Sequence, residues 1–185
     1  NGQAKPEDAI YEHESGTKVI PSSLSVKELR KINHEKLKDV AKKLKNMADF
    51  VIFDSAAGLG NEAVSSIEAA DELIIVTNPE ITAVTDALKT AKLAQELGKK
   101  VRGVIVNRVS GNKHEMSISN IREMLDLPIL GVVPEDRKVL ASLRYKDAVV
   151  HMYPYTKSSL AYKKIAAKIA GVSYKEPGFW NKLMG

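Results

Sequence analysis

Short apolar runs alternate with longer amphipathic stretches along the 185 residues of the chain. The runs Lys18 to Pro21, Phe50 to Asp54, Leu73 to Thr77, Val101 to Asn107, Ile129 to Val133 and Val149 to Tyr153 are β-rich and read as strands. Three segments, Phe50-Val51-Ile52-Phe53, Leu73-Ile74-Ile75-Val76 and Val104-Ile105-Val106, are continuously apolar, as central parallel strands covered on both faces must be. Between them Leu37, Val40, Ala41, Leu44 and Met47 fall on one helical face, and Ala87, Leu88, Ala91 and Ala94 on another. Leu160, Ile165, Ala166 and Ile169 repeat the period within Ser158 to Ala170, with Gly171 as a stop signal. The alternation predicts the α/β class: a doubly wound, mostly parallel sheet with helices on both faces.

After Gly171 the pattern breaks. Lys175-Glu176-Pro177-Gly178 reads as a hinge, and Phe179, Trp180, Lys182, Leu183 and Met184 make a short amphipathic tail. The expected organisation is one domain over residues 1–172 and a hinge with tail over 173–185. Asn1 rather than Met at the start suggests a piece of a longer polypeptide.

Composition narrows the chemistry more than the fold. With 44% apolar and 28% charged residues the balance is that of a globular chain. No cysteine is present, which removes disulfides, cysteine-ligated metal or iron–sulfur sites and thiol catalysis within these residues, and fits a reducing cytoplasm. No apolar run nears the roughly 20 residues of a membrane-spanning helix. The net charge of +5 comes largely from Lys-rich helical stretches, among them Lys36, Lys38, Lys42, Lys43 and Lys45, which read as a solvated helix face; nucleic acid is not the expected partner. His13, His34, His114 and His151 are scattered without metal-ligand spacing.

In open α/β sheets ligands sit outside the carboxyl ends of the strands, so the residues that end each run are the candidates. Asp54 ends an apolar run and precedes Ser55-Ala56-Ala57-Gly58-Leu59-Gly60. A carboxylate there is placed to hold Mg²⁺ through water beside nucleotide phosphates, and Gly58 lets the backbone approach or leave a phosphate. The alternative on spacing alone is that Asp54 caps the next helix and Gly58 makes a turn.

These residues resemble the Walker B and switch II element of the MinD/ParA family of ATPases. Leu73 to Glu80 followed by Thr85-Asp86-Ala87 resembles that family's next strand and loop. Val106-Asn107-Arg108 resembles its adenine-facing segment, and Val132-Val133-Pro134-Glu135-Asp136 its loop over the base. Four ordered matches cover residues 50 to 136, with a looser likeness to the archaeal-type MinD branch in Ala9 to Pro21 and Asp147 to Gly171. The resemblance implies a P-loop NTPase fold lacking its N-terminal portion and ATP with Mg²⁺ as ligands. It implies Asp54 as the metal residue, with Gly58, Asn107, Arg108, Pro134 and Asp136 at the nucleotide.

Two departures stand out. Ala56 occupies a position where many relatives carry proline. More seriously, the glycine-rich loop ending in Gly-Lys-Ser/Thr is absent; Gly98-Lys99-Lys100 lacks the hydroxyl residue and reads as a helix end. The resemblance places the family's P-loop lysines and switch I aspartate before Asn1, so the chain by itself is expected to be inactive as an ATP hydrolase and to carry none of the catalytic residues. The tail fits the family's C-terminal membrane anchor, with Phe179, Trp180, Leu183 and Met184 toward lipid and Lys182 toward anionic head groups. The implied function is an ATP-dependent homodimer, cytoplasmic and peripheral on the inner face of the cell membrane, that works with a division-site regulator protein to position the division site. Two other readings are a ParA-like DNA or plasmid partitioning ATPase and a non-hydrolysing binding module.

Overall fold

The computed structural model describes residues 5–21, 36–55 and 58–178. The tail residues Phe179, Trp180, Lys182, Leu183 and Met184 lie outside the described residues. The chain divides into two compact units, Asn1–Asp71 and Glu72–Gly185.

The first unit holds a 3-10 turn at Pro6–Ala9, a hairpin of β1 (Tyr11–Glu12) and β2 (Lys18–Val19), and two helices, α1 (Leu37–Leu44) and α2 (Asn61–Ala69). The hairpin corrects the reading of Lys18 to Pro21 as part of a parallel sheet: β2 pairs antiparallel with β1 alone, Tyr11 opposite Val19. In α1 the expected stripe of Leu37, Val40, Ala41 and Leu44 is half-buried and the lysines are exposed. Lys38 and Lys45 pair with Glu68 and Asp71 at 3.1 and 3.0 Å.

Phe50 to Asp54 is a second correction. Residues 50–55 carry no regular structure and enter no ladder, and Phe50 and Ile52 are 54% and 88% exposed. A strand is completed by a hydrogen-bonding neighbour, and the hairpin is the first unit's only sheet among the described residues.

The second unit carries the parallel sheet in the order β3-β4-β5, with β3 at Glu72–Thr77, β4 at Lys100–Val109 and β5 at Ile129–Pro134. The crossovers contain α3 (Ile81–Glu96) and α4 (Ile118–Leu125); α5 (Arg137–Arg144), α6 (Val149–Met152) and α7 (Lys157–Ala170) follow β5. Ile75, Val84, Ala87, Ala91, Val104, Val106, Ile121 and Leu125 form one buried cluster. Burial of each large side chain here is worth about 1.5–3 kcal/mol relative to exposure.

Val104 and Val106 point from β4 into that cluster with α3 and α4, while Asn107, of opposite parity, meets Tyr162 of α7. Alternation along a strand therefore puts helices on both faces of the sheet, as expected of a doubly wound fold. Helix α7 lies close enough that a Cβ on Gly131 would stand 2.3 Å from Ile165 Cγ1. Within α7 the predicted stripe holds at Leu160, Ile165 and Ile169 but not at Ala166, which is exposed, while Ala167 is buried. Gly171 ends the helix at φ 71°, as the stop signal anticipated.

Val149 to Tyr153, read as a strand, is the third correction. It opens with the single helical turn α6. Asp147 accepts from the Ala148 N–H at 2.6 Å and meets His151 Nδ1 at 3.0 Å, so local side-chain bonds close a turn that β-branched Val149 and Val150 would not favour by propensity. No helix of the described residues is long and apolar enough to cross a membrane.

Candidate functional site

The polar residues singled out in the second unit meet at the carboxyl ends of β4 and β5. Along β4 the register advances from Val106 opposite Val132 to Val109 opposite Pro134, so three steps on one strand match two on the other. The extra residue is a bulge containing Asn107 and Arg108. Arg108 adopts φ 56°, a left-handed conformation that a non-glycine residue takes at a cost of roughly 1–2 kcal/mol. Bulges of this kind re-aim side chains. The ladder closes again where Glu135 N–H donates to Val109 O at 2.9 Å.

Tyr162 Oη donates to Asn107 Oδ1 at 3.4 Å, which leaves the Asn107 amide N–H groups as donors for a ligand. The Arg108 guanidinium stands 3.5 Å from Glu135 with both side chains more than half exposed, a pair worth little to stability. Pro134 ends β5 and has no N–H, so its backbone polarity is that of an acceptor alone.

Asp136 is the most tightly held member. It is the N-cap of α5: Oδ1 accepts from Lys138 N–H at 2.8 Å, and Oδ2 accepts from Ser158 Oγ at 2.7 Å. Burial pushes its pKa up, but hydrogen bonds from Lys138 N–H, the Ser158 hydroxyl and the Thr156 hydroxyl outweigh that and hold the carboxyl below its ordinary value. Burial pushes Tyr162 up, helped by the Asp136 charge and opposed by the bond to Asn107. Ser158 and Ser159 are fully buried; Ser159 Oγ donates to Val149 O at 3.1 Å, tying the start of α7 to α6. Lys138 Nζ lies 4.6 Å from the centre of the Tyr153 ring.

Thr156, Ser158, Tyr162 and Glu135 were absent from the sequence candidates. Thr156-Lys157-Ser158-Ser159 had the composition of a helix N-terminus, and Thr156 does cap α7 by accepting from Ser159 N–H at 3.3 Å. No sequence signal pointed that cap at Asp136.

Asp54 and Gly58 belong to the first unit. Asp54 is exposed, and it does not cap the following helix: the N-cap of α2 is Gly60. Gly58 has φ 97° with open space around its α-carbon, so the bend it makes is one that a residue with a side chain would strain. The chemistry of the two clusters differs accordingly. An exposed carboxylate followed along the chain by a glycine bend suits a hydrated hard cation, whereas an amide, a backbone acceptor and an ordered carboxylate at adjacent strand ends suit the hydrogen-bonding edge of a planar polar ligand.

Comparison with known proteins bears on the family and the fold. The ParA family, described as NUBPL iron-transfer P-loop NTPase, matches residues 30–170. An uncharacterized ATP-binding protein of Methanocaldococcus jannaschii is 40% identical over 94% of this chain and 66% of its own length. The septum site-determining protein MinD of Bacillus subtilis is 33% identical over 75% of the chain and 53% of its own length. Among solved structures, the septum site-determining protein MinD from Pyrococcus horikoshii, complexed with Mg-ADP, superposes with a TM-score of 0.86 at 31% identity, covering 91% of this chain and 70% of that one. The chain thus spans under two-thirds of the length of these curated relatives.

Proposed function

The chain belongs to the ParA family of P-loop NTPases, and on that premise we propose that it is the metal-binding, switch and base-recognition portion of a MinD-type nucleotide switch. In this reading the protein binds ATP with Mg²⁺, dimerises when ATP is bound, and associates with the membrane together with a division-site regulator to position the division site. The observation that supports it is the β4 bulge, which sets Asn107 and Arg108 beside Pro134 and Asp136 at the strand ends. MinD names among the relatives favour division-site work over DNA partitioning. Iron transfer through thiolate ligands finds none in these residues, since they include no cysteine.

The roles follow from the donors each residue offers. Asn107 presents amide N–H groups to a base acceptor, Pro134 its carbonyl to a base amine, and Arg108 and Asp136 flank the base with opposite charges. Asp54 fits Mg²⁺ through water and Gly58 fits the approach of a phosphate. Bound MgATP would supply the transferable γ-phosphoryl group, and a glycine-rich loop, which these residues lack, is needed to stabilise its charge. Hydrolysis by this chain alone is therefore not expected. Localisation in this reading is cytoplasmic and peripheral at the inner membrane face. Residues 173–185 act as hinge and anchor through Phe179, Trp180, Lys182, Leu183 and Met184.

NMR titration of the chain with MgATP and with adenosine tests the base site. Shifts centred on residues 107, 108, 134 and 136 are expected for both ligands. Without a phosphate-binding loop the affinity should be of order 1 mM, about −4 kcal/mol. Asn107→Ala should abolish the shifts. Shifts located elsewhere, or unaltered by Asn107→Ala, would remove the base-site reading.

A further inference from the structure

Helix α5 buries its small residues and exposes its large ones. Ser142 is 1% exposed and Val139 and Ala141 are half-buried, while Leu140 and Leu143 stand 72% and 63% exposed and Tyr145, at the C-cap, 66%. A surface helix ordinarily turns its leucines inward. At helical spacing Arg137, Leu140 and Arg144 fall in one row with Leu143 beside them, and Lys146 follows just beyond the helix. Arg137, Arg144 and Lys146 are exposed, and none makes an ion pair among the described residues.

The carboxylates of this stretch are already engaged. Glu135 pairs with Arg108, Asp136 accepts from Lys138 N–H and Ser158, and Asp147 meets His151 and the Ala148 N–H. What faces solvent is an apolar row of two leucines flanked by the uncompensated Arg137 and Arg144, with Lys146 just beyond the helix. We infer that this face of α5 is a docking surface for an anionic phospholipid layer. Leucines reach the acyl boundary, and each cation near an anionic surface adds attraction. Leu140 and Leu143 are exposed on one helix face, which a deformable lipid layer accommodates without a matching groove. The inference is independent of the nucleotide reading and separate from the tail anchor.

Because the chain has no cysteine, Leu140→Cys can carry a single polarity-sensitive fluorophore, with Lys92→Cys on the exposed side of α3 as control. Vesicles of phosphatidylcholine containing phosphatidylglycerol should shift the emission at position 140 to the blue. Pure phosphatidylcholine should not, position 92 should stay unchanged, and high salt should reverse the effect. In the unlabelled full chain, Leu140→Glu with Leu143→Glu should lower co-sedimentation with anionic vesicles by about tenfold or more. Arg137→Gln with Arg144→Gln should lower it less. Circular dichroism of both pairs should match the wild type, since all four side chains are exposed.

An unshifted position 140 alongside vesicle binding would mean that the tail alone carries the attachment, and would overturn the inference without touching the proposed function. Equal co-sedimentation of the leucine pair would overturn it too. A chain that ignores anionic vesicles but binds an acidic protein through α5 would replace the lipid with that partner.

Discussion

Gly131→Ala tests how closely α7 is seated on the sheet. The added methyl would lie 2.3 Å from Ile165 Cγ1 and 2.6 Å from Cδ1, far inside the ~3.5–4.0 Å of favourable carbon contact. Ile165 is 6% exposed, and its β-branched side chain has little χ1 freedom with which to retreat. Relief must come from α7 lifting off β5. Overpacking of this kind costs about 1–3 kcal/mol, and at this chain length each kcal/mol lowers Tm by about 2–4 °C, so thermal unfolding should shift down by roughly 2–12 °C. Ile165→Ala alone should lose about 2–5 kcal/mol by leaving a cavity. In that background Gly131→Ala should be near neutral, because the obstructing atoms are gone and the methyl fills part of the void. The coupling is read from a double-mutant cycle by calorimetry. An unchanged Tm for Gly131→Ala, or the same loss in both backgrounds, would refute the reasoning.

Other consequences follow from the cluster around Asp136. Asp136→Ala removes the cap of α5 and an acceptor of the fully buried Ser158 hydroxyl, so chemical unfolding should show a loss of about 2–4 kcal/mol. The Asp136 pKa is held below 3.8. The stability this lends is complete above that value and is lost as pH falls through the lower folded-state pKa, so wild-type stability should drop more steeply in that acid range than that of Asp136→Asn; parallel curves would contradict the assignment. Tyr162 is raised above 10.0, so its contribution is complete below that pH and is lost as pH rises through the folded value. Alkaline titration by absorbance should find one tyrosine ionising late, and Tyr162→Phe should remove it.

The sheet strands and the long helices could be read from the chain because burial there imposes a period. Leu73 to Thr77, Val101 to Asn107 and Ile129 to Val133 are strands, and the alanines of α3 are buried as their spacing required. The same signal failed where tertiary context decides the outcome. Phe50-Val51-Ile52-Phe53 is as apolar as β3, yet a ladder is a property of two segments and one segment's composition does not supply the second. Val149 to Tyr153 has strand composition, and the Asp147 and His151 side chains, four residues apart, close a turn instead. Asn107, Arg108, Pro134 and Asp136 were singled out by their positions at strand ends and by family likeness. The bulge that re-aims Asn107 and Arg108 was not legible, because it depends on the register between β4 and β5. Ser158 and Tyr162 were hidden for a related reason: they act across 22 and 55 residues of sequence.

The β3-β4-β5 order has a consequence for synthesis. Each strand lies beside the next one to leave the ribosome, so loop closure along the sheet is short-range and pairing can proceed as the chain lengthens. Helix α7 comes last among the described elements, and until Lys157–Ala170 has emerged the Gly131 side of β5 lacks its cover and Asp136 lacks Ser158. A nascent chain stalled before Thr156 would therefore hold a paired sheet with one apolar face bare, the kind of intermediate that recruits chaperones. Assembly of the polar cluster would then mark the emergence of α7.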